Sequence, residues 1–170
     1  MFDLFSRSAP KPEDIKHAYK MLRPRADVPA IGVFLIDEPV RAYTHWFNNR
    51  TYPCGGGSED CLACRQGSVP DFHCYSWLLQ HPQEVIRILA LPRAPAAQLC
   101  DHAATYGSLR GVWIEATRVG KTDRSAVAFR LFRCDAHDGP LPEVPDLKGT
   151  LLRIWGVSKP PPANDTDLGC

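Results

Sequence analysis

The stretch VPDFHCYSWLLQHPQEVIRILAL, residues 69–91, decides the fold. Its first half alternates, with Phe72, Cys74, Ser76 and Leu78 on one side of an extended chain and His73, Tyr75, Trp77 and Leu79 on the other. A period of two is the mark of a strand. The turn His81-Pro82 interrupts it, and EVIRILAL (84–91) follows as a compact β-branched run. The middle of the chain therefore reads as sheet.

Outward from this pair the texture stays β. Upstream, AIGVFLI (30–36) and VRAYTHWF (40–47) flank the turn Asp37-Glu38-Pro39. Downstream, RAPAAQLCDHAATYG (93–107) is Ala-rich, keeps Leu99 and Ala103 in helical step and ends at Gly107, which predicts a helix. RGVWIEATRVG (110–120) and SAVAFRLFRC (125–134) predict a hairpin around Gly120–Asp123, and LKGTLLRIWGV (147–157) one more strand. Near the start, EDIKHAYKMLR (13–23) spaces Ile15, Ala18, Tyr19 and Leu22 as a short amphipathic helix would, with Pro24 as its stop.

The predicted organisation is a leader and short helix over 1–28, an ordered unit over 29–157 and a flexible tail over 158–170. Mostly antiparallel strands with one helix before the last hairpin predict a mainly β (α+β) fold. The expected form is an OB-like five-stranded Greek-key barrel whose helix lies between strands 3 and 4.

A length of 170 residues fits one domain, and 44% hydrophobic content is enough for a packed core. A net charge of +1 neither selects nor excludes nucleic acid as a partner. No apolar run reaches the ~18–20 residues of a membrane span, and MFDLFSRSAPKPED lacks the core of a signal peptide. The expectation is a cytoplasmic protein with no membrane contact. In that compartment the seven cysteines read as thiols or metal ligands before disulfides.

Three of them, Cys54, Cys61 and Cys64, stand in the loop 45–67 with the last two in CxxC spacing. That spacing lets both sulfurs of a tight turn face one ion at ~2.3 Å. Gly55, Gly56 and Gly57 allow the chain to fold back from Cys54. The fourth ligand is open at this stage: His45 is the nearest candidate upstream, His73 and Cys74 the nearest downstream. A redox CxxC leaves Cys54 without a role, and a chance cluster of core thiols sits badly among Gly, Asn, Ser and charge. Zinc fits best. Four protein ligands close its shell, and no HxE or HExxH supplies a general base, so a structural ion and a non-catalytic protein are expected. No GxSxG, P-loop or GxGxxG is present either.

One histidine followed by three cysteines, in a loop inserted into an OB-type barrel, resembles the single-stranded-DNA-binding (helix-destabilising) proteins of T-even phages. The matching residues are His45, Cys54, Cys61 and Cys64, within a resemblance spanning about residues 30–134. It implies a structural zinc that shapes one wall of a DNA cleft. The ligand gaps and the chain are shorter than in that family, and the tail carries only Asp165 and Asp167 in place of a long acidic run.

Single strands bind to basic grooves with aromatic platforms, because every base has a π-face and every nucleotide a phosphate. The candidate contacts are Arg41, Tyr43, Trp46, Arg50, Tyr52 and Arg65 around the zinc loop, and Arg118, Lys121 and Arg124 at the hairpin turn. The expected partner is single-stranded DNA (or RNA), the arginines and lysine meeting phosphates and Tyr43, Trp46 and Tyr52 stacking on bases. The competing expectation is a protein-interaction module whose N-terminal helix or C-terminal tail recruits a partner.

Overall fold

A computed structural model describes residues 19–26, 28–55, 61–122, 125–133 and 139–157. Eight strands form one mixed sheet: β1 (Met21–Leu22), β2 (Ala30–Phe34), β3 (Val40–Phe47), β4 (Arg50–Pro53), β5 (Asp71–Gln80), β6 (Val85–Pro92), β7 (Val112–Arg118) and β8 (Val127–Arg133). The strand order is β1-β6-β5-β2-β7-β8, with β3 and β4 branching from β5. The ten residues of β5 organise it. One edge pairs with β6 from His73↔Pro92 to Gln80↔Val85. The other is shared, its first half pairing with β3 and its last residues with β2.

Alternation gives the sheet two apolar faces. On one, Phe34, Cys74, Leu78, Leu89, Leu91, Ile114 and Ala116 pack under Ala96, Leu99 and Ala103 of helix α2 (Arg93–Tyr106). On the other, Val33, Tyr75, Trp77, Ile88 and Trp113 pack under Leu147 and Leu151 of helix α3 (Leu147–Ile154). Trp77 is fully buried there and donates its indole N–H to the Pro145 carbonyl at 2.9 Å. Gly32 lies where β2 crosses β5 so closely that a Cβ would collide with the Leu79 carbonyl and the Leu78 side chain.

The strands and the helix expected over 30–36, 40–47, 69–79, 84–91, 93–107, 110–120 and 125–134 form, and α2 ends as expected on Gly107 in the left-handed region (φ 84°). Three expectations need correction. The expected five-stranded barrel is not seen, and the sheet is not closed: β1 and β8 stand at the two ends of a six-strand path, with β3 and β4 off it, and do not pair. Closure would need hydrogen bonds between the edges of β1 and β8, and β6, β5, β2 and β7 stand between them. The segment 147–157 is a helix over its first eight residues, not a strand. Asp146 caps it, its carboxylate accepting the Gly149 N–H at 2.6 Å, and Leu147, Thr150 and Leu151 bury one face. The N-terminal helix expected over Glu13–Arg23 does not reach its end, because Met21 and Leu22 form a strand parallel to β6, each side chain on a different face. The start of that helix, the leader and the tail from 158 lie outside the described residues. Among the described residues no helix is long and apolar enough to cross a membrane.

Candidate metal centre

The site is built on a hairpin that sequence reasoning did not resolve. β3 turns at Asn48-Asn49 and returns as β4, with Phe47 opposite Arg50 and His45 opposite Tyr52. Both asparagines have positive φ, 50° and 58°, the pairing of a two-residue type I′ turn. Asparagine tolerates that region better than other side-chain-bearing residues, so Asn-Asn between two extended runs was the available signal.

Strand alternation then sets the ligands. His45 and Tyr52 oppose each other on one side of the hairpin. Cys54 follows in the same register, its N–H donating to the Tyr43 carbonyl at 2.7 Å. Cys61 caps the single-turn helix α1 (Leu62–Arg65), which brings Cys64 round to the same point. The result is one cluster: the ligand atoms of His45, Cys54, Cys61 and Cys64 all lie within 4.8 Å of one another. His45 Nε2 is 3.3 Å from Cys64 Sγ, and Cys54 Sγ is 3.6 Å from Cys64 Sγ. A sulfur separation of 3.6 Å is far beyond a disulfide's ~2.05 Å, and the cysteines are free. It matches the edge of a tetrahedron with metal–sulfur bonds of ~2.3 Å, about 3.8 Å.

The electrostatics fit the same reading. Burial pushes the His45 imidazole below its ordinary range, which keeps the neutral, ligating form. Burial, then the neighbouring Cys54 and Cys61, push Cys64 up to about 12. Burial also raises Cys61, but backbone N–H groups of Cys64, Gly55 and Ala63 and the Cys64 thiol outweigh it and hold Cys61 down. Three thiolates this close repel one another, and a divalent cation between them removes that penalty. Ser68, which sequence reasoning missed, supports the set: its Oγ is 3.2 Å from His45 Nδ1, leaving Nε2 towards the sulfurs. No motif marks it; only the turn at Gly67 (φ 80°) brings it near.

The two alternative ligands are elsewhere. Cys74 is buried in the apolar face under α2. His73 points the other way and meets Thr44 Oγ1 at 3.4 Å. His45 is therefore the histidine of the cluster.

The residues expected to touch nucleic acid divide. Trp46 is 68% exposed, and alternation turns it away from the ligands. Arg50 and Arg65 are exposed beside the cluster, while Tyr52 is half-buried. Tyr43 is half-buried as well and packs edge-on to Phe72 at 5.2 Å. Arg41, opposite Cys74 in the register, is half-buried. Arg118 is held by carbonyls, its Nε donating to Pro24 at 3.1 Å and its Nη1 to Ser125 at 3.0 Å. Lys121 is exposed, and Arg124 lies outside the described residues. Arg118 and Lys121 border a pocket together with Arg23 and Arg25, which were not singled out; no described residue of the β3–β4 hairpin lines it.

Fold and site thus define an open, mainly β domain in which one histidine and three cysteines form a set able to hold a metal ion. Comparison with protein-family models, with curated proteins and with solved structures returns no match.

Proposed function

We propose that His45, Cys54, Cys61 and Cys64 hold a structural zinc ion, and that the hairpin it braces binds single-stranded nucleic acid, DNA foremost, without catalysis. Three thiolates and one imidazole are a zinc donor set, and four protein ligands leave no open position for a reacting water. Trp46 carries the reading. Burying a tryptophan normally stabilises a fold, yet this one is 68% exposed on a strand locked by a tight turn and a ligand cluster next door. An indole exposed on one side of the hairpin is suited to stack on a base, while the guanidinium groups of Arg50, on the other side of the same strand pair, and of Arg65 are exposed to meet phosphates. An open sheet serves this as well as an OB-like barrel would, since the contacts are on the hairpin.

Titration of a fluorescent oligo-dT, followed by anisotropy at several salt concentrations, is the test. Binding should weaken with salt, Arg50→Ala should reduce the slope by about 0.7, and Trp46→Ala should lose roughly 5- to 150-fold in affinity. A flat titration at low salt contradicts the reading. A protein partner is the second reading, favoured by Leu62 and Val69, which are 55% and 84% exposed in the same loop region. Aliphatic side chains add nothing to base stacking. Loss of a co-purifying protein on Val69→Ser, with oligo-dT binding absent throughout, would favour it.

A further inference from the structure

The two sides of the β3–β4 hairpin differ in chemistry. Residues opposite each other in an antiparallel ladder share a side, and successive residues alternate. His45, Phe47, Arg50 and Tyr52 therefore face one way, and Trp46 and Thr51 the other. β5 extends both sides, because it pairs with the first half of β3. Thr44 opposes Asp71 and Ala42 opposes His73, which puts Asp71 and His73 on the side of Trp46.

Trp46 stands two positions beyond Thr44 and is thus the diagonal neighbour of Asp71, about 7–8 Å away on such a ladder. Both are exposed, Trp46 at 68%. Next along β5, His73 is half-buried and held by Thr44, whose Oγ1 lies 3.4 Å from its Nδ1. Thr44 is itself only 3% exposed, so a buried contact fixes the floor beside Asp71.

An aromatic platform alone is indifferent to the identity of a base, because every base has a π-face. A carboxylate beside it is not. Its oxygens only accept, at about four positions. Cytosine presents an amino group at N4, where thymine and uracil carry the carbonyl O4. A pyrimidine stacked on the indole brings this group to its rim, and a hydrogen bond of ~2.9 Å spans what is left of the gap. The amino group then donates to Asp71. O4 in its place meets a second acceptor, and neither finds a donor.

We propose that Asp71 selects the base stacked on Trp46 by accepting from an exocyclic amino group, favouring cytosine over thymine and uracil. The inference rests on the nucleic-acid reading above and names the class of base that the site takes. A carboxylate has no attraction for phosphate, so Asp71 acts on base preference and not on the salt-dependent share of binding.

The test is fluorescence anisotropy of the full-length protein with labelled oligo-dC and oligo-dU of equal length, near pH 7 and at low salt. The two strands share backbone and ring size and differ at the pairing edge. Wild type should bind oligo-dC tighter than oligo-dU by about fivefold or more. Asp71→Asn keeps the shape but can turn a donor towards O4, and should bring the two affinities within about twofold. Asp71→Ala should do the same while binding oligo-dU no more weakly than wild type. Asp101→Ala, which removes an exposed carboxylate on α2 across the sheet, should keep the preference. Trp46→Ala should weaken both strands. Binding of both strands by wild type without preference, or a preference that survives both Asp71 variants, overturns this inference and leaves the nucleic-acid reading standing. Failure of wild type to bind either strand overturns both.

Discussion

Ser68 shows how a single side chain bears on the candidate metal centre. Its hydroxyl lies 3.2 Å from His45 Nδ1 and sets which ring nitrogen faces the sulfurs. Partners of this kind typically contribute 10- to 100-fold in metal affinity. Ser68→Ala should therefore raise the zinc dissociation constant by about that factor in a chelator competition, with the fold intact. Unchanged affinity would mean that the ring is held by packing alone. The three cysteines of the cluster were legible, because CxxC with a third cysteine is a spacing with chemical meaning, whereas His45 was one of three candidates that only the fold separates. Ser68 was not, since a serine acquires this role only from the fold.

Among the elements, α3 and the β2–β5 crossing repay comparison. Asp146→Ala removes the carboxylate that accepts the Gly149 N–H and should cost about 1 kcal/mol in urea unfolding. Gly32→Ala should cost more, about 1–3 kcal/mol, because the Leu79 carbonyl and Leu78 leave no room at the crossing. A neutral result for Gly32→Ala would mean that this crossing relaxes freely. The long alternating strands were legible because each has one periodicity and a marked end. LKGTLLRIWGV misled because so short an apolar run fits a strand or a helix, and the Asp146 cap decides between them. The end of EDIKHAYKMLR misled for a different reason: the open edge of β6 accepts Met21 and Leu22 as a strand whatever their helical spacing.

On the scale of the whole molecule, closure was the least legible property. Strand counting finds six of the eight strands, missing β1 and β4, and does not show that β5 is shared by β2 and β3, which depends on pairing between residues far apart in sequence. The sheet also sets how stability responds to acid. Burial holds His73 below its ordinary value of 6.5; Asp71 works against that shift, and Arg23 adds to it. The folded state thus prefers the neutral ring, and the unfolded chain binds more protons. This contribution is complete above about pH 6.5 and is lost as pH falls from there through the folded value. Thermal melts of His73→Gln should show a shallower loss of Tm between about pH 7 and pH 5 than wild type. Identical slopes would remove His73 from the acid response.

The proposed zinc brace is the central claim, and metal analysis of the purified protein reaches it most directly. Elemental analysis should find about one zinc per chain, lost in Cys61→Ala and His45→Ala alike. Cobalt substituted at the site should give the spectrum of a closed tetrahedral centre with three thiolates. A protein that folds and binds oligo-dT without any metal, or a site that keeps its zinc in His45→Ala, would contradict it.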